Sequence, residues 1–412
     1  MNAFPASGPW YRMSVGLLVG FLMACQMGCA GYDRSPARIP STSSAAISTQ
    51  VAQYAPPVLP ATPDSTPALR GVTALIVAPQ DVPPVHELES WIQSLMQGGI
   101  TMVLLDIGTG MESNRMAPNN GRHAIGIYFR SQWAETIRDI FGELIPPAHQ
   151  QGLVVFAAVS PRRINWVDPT LAWLDRSYDP VHRQLRTSSY LDLFHPAFQE
   201  YLIGLLSDLA DTGVDGILFR NDVPLGPYDG FSAFGVRAFE RDFHARMEPD
   251  QLFTSVKPAR QGAALSDGPV QPLSAEFWHW AGWKGRERLK ILERLSHAMR
   301  LRGNTRHVAL EIHPEAVTDP RAALVNYGED LLEAKRRFQY FVLRLSAQAA
   351  TSGVNAPQMF VALEQMKGLL GTSDRIWATI PMSPNGVGRL DTFSRADRAE
   401  LGKDIGLIYQ RN

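Results

Sequence analysis

The sequence predicts a (β/α)8 barrel of the TIM type, and three observations lead to this fold class. First, short apolar runs alternate with longer helical stretches along residues 71–412. Second, the runs are continuously apolar, as expected of parallel strands that are covered on both faces. Third, no Gly-x-Gly-x-x-Gly motif follows any run, which disfavours the alternative of an open doubly wound sheet. In such a barrel the functional loops follow the carboxyl ends of the strands.

Eight apolar runs are the predicted strands. They are Val72–Ala78, Thr101–Ile107, Leu153–Val159, Gly213–Phe219, His307–Ile312, Tyr340–Leu345, Arg375–Ile380 and Ile405–Tyr409. The predicted helices are Val85–Met96, Ser131–Gln150, Pro196–Thr212, Ala275–Arg302, Pro320–Phe338, Gln358–Leu370 and Ser394–Lys403. Because the sequence stops soon after the last run, we expect the eighth unit to be truncated or to lack its closing helix.

The N-terminal residues predict an export signal with a lipid anchor. Residues 15–24 form an apolar core after Arg12, too short to span a bilayer comfortably but typical of a signal peptide. This core ends in Leu-Met-Ala-Cys, which resembles a bacterial lipobox, so residues 1–24 are the predicted signal peptide and Cys25 the predicted lipidation site. An ordinary secretory peptide is the alternative. The residue after Cys25 is Gln26 and not an aspartate, which resembles the pattern of lipoproteins sent to the outer membrane. We therefore expect the protein at the outer membrane, facing the periplasm.

Composition indicates how the remainder is organised. Residues 25–70 are rich in Pro, Ser, Thr and Ala, which predicts a disordered tether without chemistry of its own. The 2 cysteines both precede residue 30, so residues 71–412 contain no disulfide and no cysteine-based metal site. The formal net charge is −1, whereas nucleic-acid-binding proteins usually carry an excess of basic residues, so the composition does not indicate nucleic-acid binding. No metal or organic cofactor is implied.

Three motifs carry a resemblance to a known family. Residues 194–196 are Phe-His-Pro, residues 215–222 are Asp-Gly-Ile-Leu-Phe-Arg-Asn-Asp, and residues 280–284 are Trp-Ala-Gly-Trp-Lys. Together with the order of segments, they resemble the C-terminal glycoside-hydrolase-like domain of the PgaB family, which processes poly-β-1,6-N-acetylglucosamine in biofilm export. The family's metal-dependent deacetylase domain has no counterpart in this sequence, so the resemblance implies the glycan-cleaving half alone.

The sequence departs from the family pattern at several polar positions. Asn221 stands where the family has the first of two aspartates, and Arg220 stands where it has a histidine. His195 replaces the aspartate of the family's Phe-Asp-Pro. Pro227 occupies the place of a further aspartate, and Asp229 follows two residues later. Such substitutions are expected either to change the substrate or to abolish hydrolysis.

Three carboxylates are the candidates for glycoside hydrolysis, which needs a pair of them across the scissile bond. Asp222 follows the fourth predicted strand, where a barrel presents reactive groups. Glu311 lies within an apolar strand, where an unpaired carboxylate is costly to bury. It therefore either faces the barrel mouth or pairs with an arginine such as Arg220. Asp229 is the third candidate, and its alternative role is to form a turn with the following glycine.

A further set of residues near the strand ends is predicted to bind the glycan. It comprises Arg220, Asn221, Asp106, Trp166, His195 and His313. Three of them have a structural alternative: Asn221 closes a turn, Asp106 anchors the glycine-bearing loop after it, and Trp166 packs its own loop instead of stacking on a sugar.

Two functions of different classes remain open. The first is an envelope lipoprotein that binds and hydrolyses an amino-sugar polysaccharide such as poly-β-1,6-N-acetylglucosamine, with Asp222 and Glu311 or Asp229 as the catalytic pair. The second is a non-catalytic glycan-binding barrel in polysaccharide export or envelope organisation, which Asn221 favours. A glycosidase of peptidoglycan or another matrix polymer is a third option. The expected partners are the polysaccharide, the membrane through the anchor, and polysaccharide-export proteins.

Overall fold

The computed structural model describes residues 69, 71–108, 125–167, 172–253, 273–303, 305–344, 356–382 and 405–411. Its eight-stranded parallel barrel closes on itself, so the predicted (β/α)8 fold is confirmed. The predicted signal peptide, Cys25 and nearly all of the tether lie outside the described residues. None of the described helices is long and apolar enough to cross a membrane.

The described strands are, in chain order, β1 Thr73–Val77, β2 Met102–Asp106, β3 Val154–Val159, β4 Leu174–Asp179, β5 Gln184–Leu191, β6 Gly216–Phe219, β7 His307–Ile312, β8 Tyr340–Leu343, β9 Ile376–Met382 and β10 Gly406–Arg411. Around the barrel the neighbours run β1, β2, β3, β6, β7, β8, β9 and β10, which returns to β1. These strands coincide with the eight predicted runs. The other two, β4 and β5, form an antiparallel hairpin that was not predicted.

The described α-helices are α1 Leu88–Gln97, α2 Ile140–Gln151, α3 Pro196–Ala210, α4 Ala233–Phe243, α5 Pro249–Leu252, α6 Ala275–Arg302, α7 Glu315–Thr318, α8 Pro320–Tyr327, α9 Leu331–Ala334 and α10 Ala356–Leu370. Two predictions were wrong in extent. Helix α2 begins later than predicted because Asp139 caps it by accepting from the Gly142 amide. The predicted helix over 320–338 is broken at Gly328, whose φ of 62° ends α8. The predicted helix over 394–403 lies outside the described residues.

Side chains that alternate along the strands fill the barrel interior. The inward apolar side chains nearest the carboxyl end on four strands are Leu104, Leu218, Ala309 and Val342. Because strand side chains point inward at every second position, the next inward positions lie two residues further along. Those positions are Asp106, Arg220, Glu311 and Arg344. The apolar interior therefore ends, at the mouth where barrel sites are built, in a layer of charged residues.

Candidate functional site

The four residues of this charged layer form two ion pairs, each between a carboxylate and an arginine. The Asp106 Oδ1 atom lies 3.1 Å from Nη1 of Arg220, and the Arg344 Nη1 atom lies 3.6 Å from Oε2 of Glu311. Burial disfavours the charged guanidinium of Arg220, but the carboxylates of Asp106, Glu311 and Asp222 outweigh it and raise the pKa of Arg220. Arg220 is therefore the cation that faces most of the acidic groups at the mouth.

Asp222 lies just beyond this layer, on the loop after β6. The amide of Arg220 still donates to the Val159 carbonyl at 2.8 Å, so the parallel pairing with β3 continues to the edge of the mouth. The carboxylate of Asp222 is 9% exposed, and its Oδ2 atom lies 3.1 Å from Nη2 of Arg163 on the loop after β3. Arg163 is 34% exposed, so this ion pair is open to solvent on the arginine side.

Glu311 is connected directly to the loop that carries Asp222. Its carboxylate is 6% exposed, and Oε2 accepts a 2.9 Å hydrogen bond from the backbone amide of Asn221. Strands β6 and β7 are neighbours, with Phe219 paired to Leu310 in register. The structure thus brings Asp222 and Glu311 together at the mouth. It also combines the two alternatives stated for Glu311, because this side chain faces the mouth and pairs with an arginine.

The side-chain amide of Asn221 makes a buried contact. Its Nδ2 donates to Oε1 of Glu329 at 2.5 Å and to the Tyr327 carbonyl at 3.3 Å. The same carboxylate, 2% exposed, accepts from the backbone amide and from Nδ1 of His313, both at 2.9 Å. Sequence reasoning missed Glu329 because it placed this residue inside a continuous helix. The signal was Gly328, a residue that commonly ends a helix.

His313 itself is held on two sides. Its imidazole stacks on the ring of Tyr327 with centroids 3.8 Å apart and planes inclined by 6°. Its Nδ1 is bound by Glu329, and 15% of the side chain is exposed. The predicted glycan-binding residue therefore lies at the carboxyl end of β7, two residues after Glu311, in a fixed orientation.

The carboxylate of Asp229 is held by its own loop and by the neighbouring strand β4. Its Oδ1 accepts from Ser177 Oγ at 2.8 Å, and its Oδ2 accepts from the Gly226 amide at 3.1 Å. Below the loop the buried Lys284 donates to the carbonyls of Gly226 at 2.6 Å and Asp229 at 2.9 Å. Burial lowers the pKa of Lys284 to about 8. These contacts match the turn-forming alternative stated for Asp229.

A buried ion pair supports this loop from the side of the β4–β5 hairpin. Arg162 Nη2 lies 2.8 Å from Oδ2 of Asp175, and both side chains are buried. Burial raises the pKa of Asp175 to about 7, Arg162 opposes that shift, and the carboxylates of Asp192 and Asp229 add to it. The unpredicted hairpin thus places a buried carboxyl group beside Arg162, on the loop after β3.

Two predicted glycan-binding residues have packing contacts. A Cβ on Gly108, after β2, would lie 2.2 Å from the Trp166 ring, and Trp166 Nε1 donates to the Tyr201 hydroxyl at 2.9 Å. These contacts match the alternative in which Trp166 packs its loop. His195 precedes α3, and its ring centroid lies 4.2 Å from that of Phe234. Burial lowers the pKa of His195, which favours the neutral imidazole.

The arrangement combines acidic groups with planar cations. Carboxylates and guanidinium groups at fixed positions hydrogen-bond the hydroxyl groups of a sugar well, and glycoside hydrolysis needs two carboxyl groups that flank the scissile bond. Within the described ranges, no group of three or more His, Cys, Asp or Glu side chains is arranged to hold a metal ion.

Solved structures provide the comparison with known proteins. The glycoside hydrolase domain of PgaB (BpsB) from Bordetella bronchiseptica superimposes with a TM-score of 0.62 at 17% identity, covering 83% of this chain and 94% of that chain. A β-galactosidase from the psychrophilic Marinomonas ef1 has a TM-score of 0.52 at 11% identity, covering 82% of this chain and 53% of the galactosidase. No protein-family model and no curated protein matches the sequence. At these identities the likeness establishes the fold, and the barrel is similar in fold to the glycoside hydrolase domain of PgaB, as the three motifs predicted.

Proposed function

We propose that this barrel binds an amino-sugar polysaccharide such as poly-β-1,6-N-acetylglucosamine in its mouth and hydrolyses it. The observation that carries the proposal is the placement of Asp222 and Glu311 at the ends of adjacent strands, joined through the amide of Asn221. Hydrolysis of a glycosidic bond requires two carboxyl groups in one cleft. The fold shared with glycoside hydrolases supports the same reaction class.

In this mechanism the two carboxylates have different roles. Glu311, whose carboxylate is oriented by a backbone N–H and by Arg344, is the nucleophile or the base for a water. Asp222 is the acid that protonates the departing oxygen. Its partner Arg163 is partly exposed and able to swing into solvent when a sugar enters. A general acid must reach the departing oxygen directly, and this movement of Arg163 would open the way to Asp222.

The proposal includes a location in the cell envelope. Acylation of Cys25 would hold the protein at the outer membrane facing the periplasm, where polysaccharide-export proteins are its partners. The lipobox-like sequence before Cys25 supports this step. Radioactive palmitate is expected to label the wild-type chain and Cys29→Ala but not Cys25→Ala. Equal labelling of all three chains would refute the assignment.

A second candidate function is a glycan-binding barrel without catalysis. It is favoured by the arginine contacts at Asp222, Glu311 and Asp106, because paired carboxylates bind sugar hydroxyls without needing to exchange protons. The burial of the Asn221 amide against Glu329 supports it as well, since the position then serves structure.

Release of oligosaccharides from partially deacetylated poly-β-1,6-N-acetylglucosamine by the full chain in detergent separates the two functions. We expect products from wild type and a loss of about 10²–10⁴-fold in rate for Asp222→Asn. The matched control is Asp211→Asn, which changes an exposed aspartate on the outside of the barrel. Polymer binding without products in every variant would establish the binding function, and the absence of both products and binding would refute both proposals.

A further inference from the structure

The carboxylate of Glu329 is surrounded by hydrogen-bond donors. The Nδ2 amide of Asn221, the backbone amide of His313 and the imidazole Nδ1 of His313 all converge on its two oxygens. The first two are obligatory donors, so the carboxylate acts as an acceptor toward them. The buried Arg288 on α6 adds an electrostatic attraction to Glu329. Glu329 therefore acts as an acceptor toward His313 too.

This arrangement determines which ring nitrogen of His313 carries the proton. Because Nδ1 donates to the Glu329 carboxylate, the neutral imidazole must have its free lone pair on Nε2. The stacked ring of Tyr327 then fixes the plane in which that lone pair points. None of the described residues hydrogen-bonds Nε2, although part of the His313 side chain reaches solvent at the mouth.

We propose that His313 Nε2 is a glycan-recognising acceptor, selective for a donor group on the sugar, and that Glu329 is the residue that positions it. This inference rests on the proposed function, because it concerns the same mouth. The group recognised is a hydroxyl or an ammonium, both of which donate to a bare imidazole nitrogen. The N-acetyl carbonyl, which is an acceptor only, is disfavoured at this point.

A glutamine at position 329 is nearly isosteric but chemically different. It offers one acceptor oxygen and one donor NH2 group, so it cannot serve both the side chains of Asn221 and His313, which donate to Oε1, and the backbone amide of His313, which donates to Oε2. The backbone amide is a donor only, so we expect the glutamine oxygen to take the place of Oε2 and the NH2 group to take the place of Oε1. When its NH2 group faces Nδ1, the imidazole proton moves to Nε2, and the bare acceptor at the mouth becomes a donor. Glu329→Gln thus changes the hydrogen-bonding character of His313 without removing any atom of the imidazole.

The binding experiment uses calorimetry on the full chain in detergent, with partially deacetylated poly-β-1,6-N-acetylglucosamine as the probe. His313→Phe keeps a ring that stacks on Tyr327 but has no nitrogen, and we expect binding roughly three- to tenfold weaker, as for the loss of one hydrogen bond. Glu329→Gln should weaken binding by a similar factor. The matched control is Glu315→Gln, which contacts the Tyr327 hydroxyl but not His313, and it should bind like wild type.

A fully N-acetylated polymer identifies the donor. If His313→Phe weakens binding to both polymers equally, the recognised group is a hydroxyl. If only the partially deacetylated polymer is affected, the group is the ammonium. Either result supports the acceptor role, whereas wild-type affinity of His313→Phe for both polymers would overturn it.

Which ring nitrogen of His313 carries the proton can be measured without any glycan. In histidine-labelled chain, long-range proton–nitrogen correlation spectra should show the Nδ1–H form for His313, assigned by its loss in His313→Phe, and the Nε2–H form in Glu329→Gln. An Nε2–H form in wild type would overturn the inference.

A wild-type chain that binds neither polymer refutes the proposed function and the glycan-binding role of His313 together, while binding that His313→Phe leaves unchanged refutes the inference alone.

Discussion

Replacing the buried Lys284 by methionine should change how the stability of the protein depends on pH. Burial lowers the pKa of this ammonium from 10.5 to about 8, so the folded protein releases the proton more readily than the unfolded chain does. Between pH 8 and 10.5 the unfolded state therefore binds more protons, and the free energy of unfolding rises with pH. At about 1.4 kcal/mol per pKa unit, the rise attributable to Lys284 is about 3 kcal/mol.

This contribution can be measured by guanidinium unfolding, followed by tryptophan fluorescence at several pH values from about 7.5 to about 10.5. The quantity of interest is the free energy of unfolding of wild type minus that of Lys284→Met. We expect this difference to grow by about 3 kcal/mol over the range. Lys290→Met, on the exposed side of the same helix, should follow wild type at every pH. A difference that is flat or falls with pH would show that the ammonium is not destabilised by burial beneath the loop.

Three further changes test other parts of the barrel by the same unfolding measurement. Gly216→Ala should cost about 1–3 kcal/mol, because its Cβ would lie 1.8 Å from the buried ring of Phe156, whereas Gly368→Ala meets nothing within 4 Å and should be tolerated. Arg220→Met should cost about 3 kcal/mol or more, because it leaves the mouth carboxylates without their shared cation. Burial raises the pKa of Asp175 to about 7, so between about pH 4 and 7 the folded state binds more protons than the unfolded state. The free energy of unfolding should therefore fall by about 4 kcal/mol as pH rises through this range. This fall should be absent from Asp175→Asn.

The barrel could be predicted because each of its strands lies in a mainly apolar run. Such runs are required wherever a strand is buried between an interior and a layer of helices. The hairpin β4–β5 has no such requirement: most of β5, Gln184–Leu191, is exposed and polar, so hydrophobicity does not mark it. Helix α4, Ala233–Phe243, was also missed, because no helix was predicted between residues 219 and 275.

The candidate site was predicted in part. Four of its residues lie together because each stands at the carboxyl end of a barrel strand or just after it, and these strand ends meet at one mouth: Asp106, Arg220, Asp222 and Glu311. The partners of these residues were harder to predict. Arg344 follows β8 at an inward position that the alternation of the strand implies, but it was not singled out. Glu329 comes from a break between helices, where sequence spacing gives no direction for the side chain.

The charged layer at the mouth also limits the order in which the sequence of this barrel can change during evolution. A lineage that replaces Arg220 first leaves several acidic groups facing one another, whereas one that replaces Asp106 first leaves Arg220 with the carboxylates of Glu311 and Asp222. Position 106 can therefore be substituted first, whereas substitution of Arg220 is tolerated only after nearby carboxylates have been lost. Homologues in which the arginine has changed are expected to carry compensating changes on the neighbouring strands.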